Sequence, residues 1–237
     1  MDTYELVCVA ILGSSFWLSL LMPERWSSYP NRNIVAIFAG IVILVTVAVV
    51  SCFADSPMSK YIRLLCYFHF SEYVWVSLTS GKCVFESFLI NHGVHYASAF
   101  TWSVAEYYIF PYHWSHSLEF IGLILVVVGL LIRAAAMLTA GSAFTHLIAH
   151  KKTSDHRLIT RGIYGWMRHP GYLGWLIWVT SSQLVLGNIL STITFFVISI
   201  HFFKERIEYE ERLLIGFFGD EYRQYRTRVT FSGVPFI

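Results

Sequence analysis

The sequence predicts an all-α protein that spans a membrane as a polytopic helical bundle of about seven spans. Of its 237 residues, 56% are hydrophobic and only 14% are charged, whereas soluble domains contain roughly one quarter charged residues. Several uncharged runs are long enough to cross a bilayer, which takes roughly 20 residues of helix. Polar and apolar residues do not alternate over successive strand-length segments, so a transmembrane barrel is not expected.

The first part of the chain, residues 1–117, is predicted to supply four N-terminal spans. Their expected limits are Leu6–Met22, Ile34–Ala54, Met58–Leu78 and Phe88–Phe110. The second span is the clearest of the four because it is entirely uncharged. The third is more polar and contains Arg63, His69 and Glu72. The fourth is interrupted near Gly93, so its start is less regular than its end.

Residues 118–237 are predicted to form the catalytic core of one integral-membrane domain that covers residues 1–237. The apolar segment Leu118–His150 is longer than the hydrocarbon core requires, so its last turns are expected to project into water. Pro170–Leu186 and Ile189–Phe203 then form a helical hairpin. Its second arm is expected to continue as an amphipathic helix to about Phe218, and a polar tail follows as a short helix.

Charge placement predicts the orientation of the bundle. Most of the 17 Lys and Arg residues lie at or after Lys151, in the loop before Pro170 and in the C-terminal segment. Loops rich in Lys and Arg stay on the cytosolic side of a membrane. Because the two basic segments are joined by an apolar hairpin, they lie on the same side. A pocket on the cytosolic face is therefore expected.

Arg206 and Glu210 are the first candidate site residues. They lie four residues apart on one predicted helix and so share a face. A surface ion pair is the simpler interpretation of such spacing. However, Arg206 follows the apolar pair Phe202–Phe203, and ionisable residues near hydrocarbon depth tend to be functional.

The start of the preceding helix is the second candidate. Pro170 suits a first helical turn because its missing N–H would be unpaired there anyway. The free amides and the positive end of the helix dipole can face an anionic or polar ligand. Aromatic residues crowd the same level, as a pocket wall or as an interfacial belt; they are Tyr164, Trp166, Tyr172, Trp175 and Trp178. Arg133 is interpreted as a residue that extends its charge to the cytosolic boundary.

These residues resemble the isoprenylcysteine carboxyl methyltransferases, and several of them resemble the animal members closely. One part of the likeness is the series Arg168, His169, Pro170, Tyr172, Gly174 and Trp175, followed after the hairpin by Phe202, Phe203, Arg206, Glu210, Glu211, Leu214, Phe218, Gly219, Tyr222 and Tyr225. A second part is Arg133, Met137, Gly141, Ser142, Phe144 and His146, and a third is Phe68, His69, Ser71, Glu72 and Tyr73. Animal members have one more N-terminal span, so the resemblance implies that this chain starts on the lumenal side.

The resemblance implies S-adenosylmethionine (SAM) as the methyl donor and a prenylated C-terminal cysteine of processed CaaX proteins, such as small GTPases, as the acceptor. It implies an endoplasmic reticulum membrane, multiple spans and a site facing the cytosol. Arg206 would hold the substrate carboxylate, with Arg168 as a second catalytic residue. The implied cofactor contacts are His156, Arg157, Leu158, Ile159, Tyr164, His169, Pro170, Gly171, Tyr172 and Glu210. A further family contact, a glutamine, aligns with Ala149, so that contact is not expected here.

Two related activities remain as alternatives. A membrane phospholipid methyltransferase would share the histidine–proline motif, although its amine acceptor has no use for the carboxylate-binding Arg206. A sterol reductase relative would bind NADPH, with Lys151 and Lys152 as phosphate ligands. No metal site and no nucleic-acid partner are expected, because the sequence lacks His, Cys and carboxylate clusters with metal-type spacing and lacks a nucleic-acid-binding feature.

Overall fold

The computed structural model is all-helical over the residues it describes, which are 2–19, 30–81, 84–90, 93–110, 116–146, 148, 150–152 and 156–237. Eight α-helices occur in this part of the chain: α1 (Thr3–Ser19), α2 (Pro30–Ser51), α3 (Pro57–Ser80), α4 (Val94–Ile109), α5 (His116–Ala140), α6 (Pro170–Leu186), α7 (Ile189–Phe218) and α8 (Asp220–Arg228). Short 3₁₀ helices lie at Phe85–Phe88, Gly141–Ala143 and Gly162–Gly165. Ala149 and Met22 lie outside the described residues.

Within the described residues, two helical segments are long and apolar enough by composition to cross a bilayer, namely Asn33–Ser51 and Ser117–Ala143. The apolar helix α1 is shorter. Many large apolar side chains on α2 and α5 face outward, and Phe38 and Leu131, for example, are 69% and 64% exposed. Such a surface is suited to contact with lipid rather than water.

Two predicted segments differ from the observed helices. The expected helix Leu118–His150 is wrong in its length, because α5 ends at Ala140 and a 3₁₀ turn follows. Gly141 adopts a φ of 57° there, a left-handed conformation that ends helices. The fourth segment is also shorter than expected. Residues 85–88 form a separate 3₁₀ helix, and α4 begins only at Val94, after Gly93 with a φ of 87°.

The hairpin of α6 and α7 is confirmed, and buried polar groups fix its turn. Gly187 has a φ of 83°, and Asn188 occupies the N-cap position of α7 without a capping hydrogen bond from its own side chain. The Asn188 side chain donates to the Ser103 carbonyl of α4 at 2.8 Å. The carboxylate of Glu106, also on α4, accepts hydrogen bonds from the backbone N–H groups of Leu190 and Ser191 at 2.8 and 2.7 Å. A carboxylate at the amino end of a helix is stabilised by the free amides and the helix dipole.

Helices α5 and α6 pack backbone to backbone through glycine. A Cβ atom on Gly174 would lie 2.7 Å from the Gly129 carbonyl oxygen and 2.8 Å from the Arg133 amide nitrogen. A Cβ atom on Gly129 would meet the Gly174 carbonyl oxygen at 2.8 Å. Small residues at such crossings let membrane helices approach closely. This contact brings the amino end of α6 beside the carboxyl end of α5.

Gly174→Ala is therefore expected to destabilise the protein by about 1–3 kcal/mol, because the added methyl group meets backbone atoms that cannot rotate away. Gly216→Ala is the matched control. Gly216 is also helical, and a Cβ atom there meets open space, so alanine should stabilise α7 by up to about 1 kcal/mol. Thermal unfolding in detergent checks both variants. Equal shifts in the two midpoints would contradict the close-packing argument.

Candidate active site

Tyr172 connects the two candidate residues of α7. Arg206 Nε donates to the Tyr172 hydroxyl at 2.9 Å, and that hydroxyl donates to Glu210 Oε2 at 2.6 Å. The prediction that Arg206 and Glu210 share one face of their helix is confirmed. The same face is turned toward the start of α6, which supplies Tyr172.

The Arg206 guanidinium is half-buried and held from several sides. Nη2 donates to the His146 carbonyl at 2.8 Å. The guanidinium carbon lies 5.5 Å from the ring centroid of Tyr172 and 6.0 Å from that of Phe202, distances typical of cation–π contacts. The Nη1 group has no partner among the residues that the structure describes. It is the part of the fork that remains available to a ligand.

His169, the N-cap of α6, lies between two adjacent carboxylates of α7. Its Nδ1 is 3.7 Å from Glu210 Oε2, and its Nε2 is 3.3 Å from Glu211 Oε1. The imidazole also stacks on Tyr172, with ring centroids 5.5 Å apart and planes within 9° of parallel. Pro170 occupies the first turn of α6, as predicted. The amino end of α6 and the polar face of α7 thus form one assembly.

Glu211 is a buried member of this assembly that the sequence reasoning missed. Its carboxylate accepts from Arg168 Nε at 2.7 Å and lies 3.2 Å from Arg226 Nε. Burial alone would raise the pKa of this carboxyl. Hydrogen bonds from His169 and Arg168, together with their charges, outweigh burial and lower the pKa to about 2. The signal in the sequence was the adjacent pair of glutamates, of which only Glu210 was given a role.

Glu211 should make the stability of the protein dependent on acid pH. Its folded pKa of about 2 lies below its ordinary value of 4.5. The ionised carboxylate therefore stabilises the folded chain at pH values above 4.5, and this contribution is lost as the pH falls from there toward 2. Glu211→Gln is expected to lower the unfolding midpoint at neutral pH and to flatten its decline with acid. Glu208→Gln, at an exposed position of α7, is the control and should follow the parent protein. Parallel curves for Glu211→Gln and the parent would contradict this reasoning.

Arg168 is held by the C-terminal segment as well as by Glu211. Its Nη1 donates to the carbonyls of Val229 and Thr230 at 2.8 and 2.5 Å, and its side chain is buried. These contacts favour a role for Arg168 in holding the site together. Its predicted catalytic role stays a prediction.

Residues Val229–Ile237, here termed the C-terminal clasp, bind the start of α6 directly. The backbone amides of Arg168 and His169 donate to the carbonyls of Phe231 and Ser232 at 3.1 and 2.7 Å. Gly233 lies so close to His169 that a Cβ atom on it would be 2.9 Å from the His169 carbonyl oxygen, and its φ is 109°. Val234 is fully buried against Leu176, Phe203 and Ile207. The clasp therefore fixes the backbone that carries His169.

A half-open cleft with a volume of about 180 Å³ lies beside this assembly. Nine of the residues predicted for the site line it: Arg157, Leu158, Ile159, Tyr164, Arg168, His169, Gly171, Tyr172 and Glu210. His156, Pro170 and Arg206 are not among its lining residues, and the His156 ring instead stacks on Phe217 at 5.8 Å. Lining residues that the sequence did not single out for the site are Arg133, Ala140, Ala143, Phe144, Thr145, His146, Leu214, Tyr222 and Tyr225.

The aromatic residues of this level divide between several environments. Tyr164 and Tyr172 line the cleft. Trp178 is instead buried in the core, stacked on Phe68 with ring centroids 3.8 Å apart. Trp166 is 81% exposed. The alternatives of a pocket wall and an interfacial belt therefore each describe only part of the set.

The interpretation of Arg133 as a residue extended to the boundary is wrong. Arg133 is buried and pairs with the buried carboxylate of Glu72 on α3 through Nε and through Nη2, the latter at 2.7 Å. Its Nη1 donates to the Gly171 carbonyl at 2.9 Å. The guanidinium thus joins α3, α5 and α6 at the wall of the cleft. Sequence could not reveal the pairing because Glu72 lies on a distant segment.

Comparisons with known proteins agree with this arrangement. Residues 120–216 match the isoprenylcysteine carboxyl methyltransferase family. A curated protein-S-isoprenylcysteine O-methyltransferase of Dictyostelium discoideum is 44% identical over 180 residues, which cover 74% of this chain and 76% of that protein. The Homo sapiens protein of the same name is 39% identical over 77% of this chain and 66% of its own length.

A solved structure provides the same answer for the fold. The eukaryotic intramembrane Ras methyltransferase, isoprenylcysteine carboxyl methyltransferase, superposes with a TM-score of 0.75 and 28% identity, covering 100% of this chain and 99% of that one. The likeness supports association with the membrane. It also favours the carboxyl methyltransferases over the phospholipid methyltransferase and sterol reductase alternatives. Sequence and fold agree, and the chain belongs to the isoprenylcysteine carboxyl methyltransferase family.

Proposed function

We propose that this chain transfers the methyl group of SAM to the C-terminal carboxylate of a prenylated cysteine and so forms a methyl ester. The acceptors are processed CaaX proteins, with small GTPases as the expected class. The observation that carries the proposal is the chain of contacts from Arg206 through Tyr172 to Glu210 at the edge of the cleft. It places a cation that can bind a carboxylate next to an anion that can bind the cationic methyl donor.

The residues of the cleft fit SAM in chemistry. The half-buried Glu210 carboxylate is suited to the ammonium group of SAM and offsets its positive charge. Tyr164 and Leu158 offer apolar surface to the adenosine. We assign the cofactor contacts to the predicted residues that line the cleft, with Arg168 as the support that fixes His169; they are Arg157, Leu158, Ile159, Tyr164, His169, Gly171, Tyr172 and Glu210. The contacts predicted for His156 and Pro170 stay predictions.

The reaction needs alignment more than proton transfer. A C-terminal carboxyl has a pKa of about 3.3–3.7, so it is ionised at neutral pH and needs no general base. When bound, SAM supplies an electrophilic methyl group on a sulfonium. Arg206 orients the acceptor carboxylate through a charge-assisted hydrogen bond from Nη1, the part of the guanidinium left available by Tyr172 and His146. Holding the two partners in line is a source of several kcal/mol of catalysis.

The site also limits how strongly Arg206 can bind the acceptor carboxylate. Because Nε and Nη2 of Arg206 already donate to Tyr172 and to the His146 carbonyl, only part of the guanidinium is left for the acceptor. An anion bound more tightly in the ground state than in the transition state would react more slowly, because only the difference between the two binding energies changes kcat.

We further infer a multi-pass arrangement of about seven spans in the endoplasmic reticulum membrane, with the cleft on the cytosolic side. A prenyl chain partitions into lipid, while SAM is soluble, so the two substrates reach the cleft from different phases. Methylation removes a negative charge that the anionic cytosolic leaflet repels. The ester should therefore strengthen a membrane anchor of a single lipid chain.

The test uses purified protein in detergent with methyl-labelled SAM and a farnesylated cysteine. Label that is released as methanol by mild base shows a methyl ester and supports the proposal. Label that appears in phosphatidylethanolamine and not in the cysteine substrate would instead show a phospholipid methyltransferase. A geranylgeranylated cysteine in parallel reports the preference for chain length.

A further inference from the structure

Tyr222 carries a hydroxyl group that the protein leaves without a partner. The residue lies in the first turn of α8, is 1% exposed, and lines the cleft. Among the residues that the structure describes, none forms a hydrogen bond with its hydroxyl. A buried hydroxyl without a partner costs free energy, so such groups are rare in folded proteins and require a reason.

A second tyrosine of the same helix has a buried hydroxyl that does form a hydrogen bond within the protein. Tyr225 is also buried and also lines the cleft. Its hydroxyl donates to the Tyr164 carbonyl at 2.7 Å. The two rings lie 5.8 Å apart in one apolar cluster with Val229, packed against Leu158 and Leu214. Two similar side chains thus share one environment, and only one of them is satisfied by the protein.

The hydroxyl of Tyr222 is a neutral donor in this setting. Burial raises its pKa, and the negative charge of Glu211 raises it further. The phenol therefore keeps its proton at any physiological pH and offers it to an acceptor. Arg168 and Glu210 also lie close enough to act on it electrostatically, which places it on the polar side of the cleft.

We propose that the Tyr222 hydroxyl donates a hydrogen bond to an acceptor oxygen of the bound methyl donor. This inference rests on the proposed function, since it takes the cleft to be the SAM site. The acceptor is either the amino-acid carboxylate or a ribose hydroxyl. Tyr222 is one of the residues that resemble the family, but it was not among the cofactor contacts predicted from the sequence.

The decisive variant is Tyr222→Phe, which removes one oxygen atom and leaves the packed ring in place. The dissociation constant of S-adenosylhomocysteine, measured by calorimetry on the full chain in detergent, should rise roughly three- to tenfold. The unfolding midpoint without ligand should stay unchanged or rise, because the variant buries no unpaired group. This combination separates a ligand contact from a structural role, which would weaken both properties.

Tyr225→Phe is the matched control. It removes a hydroxyl that does have a protein partner, so its unfolding midpoint without ligand should fall. Tyr222→Phe with unchanged affinity for S-adenosylhomocysteine would overturn the inference. So would a midpoint that falls as far as that of Tyr225→Phe. Steady-state kinetics in membranes provide a second measurement. Tyr222→Phe should raise the KM for SAM and change kcat much less.

A further ligand identifies the acceptor atom. 5′-Methylthioadenosine keeps the ribose but lacks the amino-acid group. Weaker binding of S-adenosylhomocysteine alone assigns the contact to the carboxylate, and weaker binding of both ligands assigns it to the ribose. Failure of the parent protein to bind either ligand, or to methylate farnesylated cysteine, would count against the proposed function itself. Normal binding and turnover in the parent with no effect of Tyr222→Phe would count only against this inference.

Discussion

Arg206→Ala is expected to lower kcat/KM for a farnesylated cysteine by roughly 100-fold or more, the scale seen when a reacting group loses its orientation. The variant removes the guanidinium that aligns the acceptor carboxylate, while the cleft that would hold SAM keeps its lining. The affinity for S-adenosylhomocysteine should therefore change much less than turnover. Steady-state assays with labelled SAM, together with calorimetry, measure both quantities.

Substitutions at neighbouring positions show whether the effect is specific. Arg206→Lys keeps the charge but loses the planar fork, so its activity should lie between those of the parent and Arg206→Ala. Lys204→Ala alters an exposed cation of the same helix and should stay near parental activity. Glu210→Ala should also abolish most turnover, with a larger loss of affinity for S-adenosylhomocysteine. Full activity of Arg206→Ala would contradict the role of Arg206 in orienting the acceptor carboxylate.

Glu72→Ala is expected to cause a severe loss of stability, about 3–5 kcal/mol. The variant leaves the buried guanidinium of Arg133 without its carboxylate partner. Because Arg133 also donates to the Gly171 carbonyl, the start of α6 should shift and activity should fall with stability. Thermal unfolding in detergent and the methylation assay check the two effects.

A double substitution separates charge from position. Glu72→Leu with Arg133→Leu removes both members of the pair, and apolar replacement of a buried pair is often neutral for stability. The double variant should therefore recover much of the stability but not the activity, since the Gly171 carbonyl loses its hydrogen bond from Arg133. Glu205→Ala is the exposed control, because Glu205 pairs with His201 on the surface and should leave the midpoint unchanged. A double variant as unstable as Glu72→Ala would contradict the argument.

The parts of the fold and site that sequence could predict are those set by local spacing. The hairpin of α6 and α7 and the shared face of Arg206 and Glu210 follow from an apolar run, from Gly187 and from a four-residue interval. The early end of α5 was missed because the apolar periodicity of the sequence continues past Gly141, whereas the α-helix ends before it.

Contacts between segments that are distant in the sequence could not be predicted from local residue spacing. Arg133 meets Glu72 across 61 residues, and Arg168 meets the Val229 carbonyl across a similar separation. Each of the two arginines, taken alone, has the sequence pattern of a cation at the membrane boundary. The two arginines are buried only because α5 packs against α6 and the C-terminal segment packs against Arg168. The same packing explains why Glu211 was missed while its neighbour Glu210 was found.

The C-terminal clasp has a consequence for biosynthesis. A ribosome delivers residues 229–237 after all eight helices have been made, so the backbone amide of His169 waits for its partner until that late point. A nascent chain stalled before the clasp would contain every side chain that lines the cleft and yet would lack the fixed loop that presents them. The loop that presents these side chains is thus fixed only after translation has passed Val234.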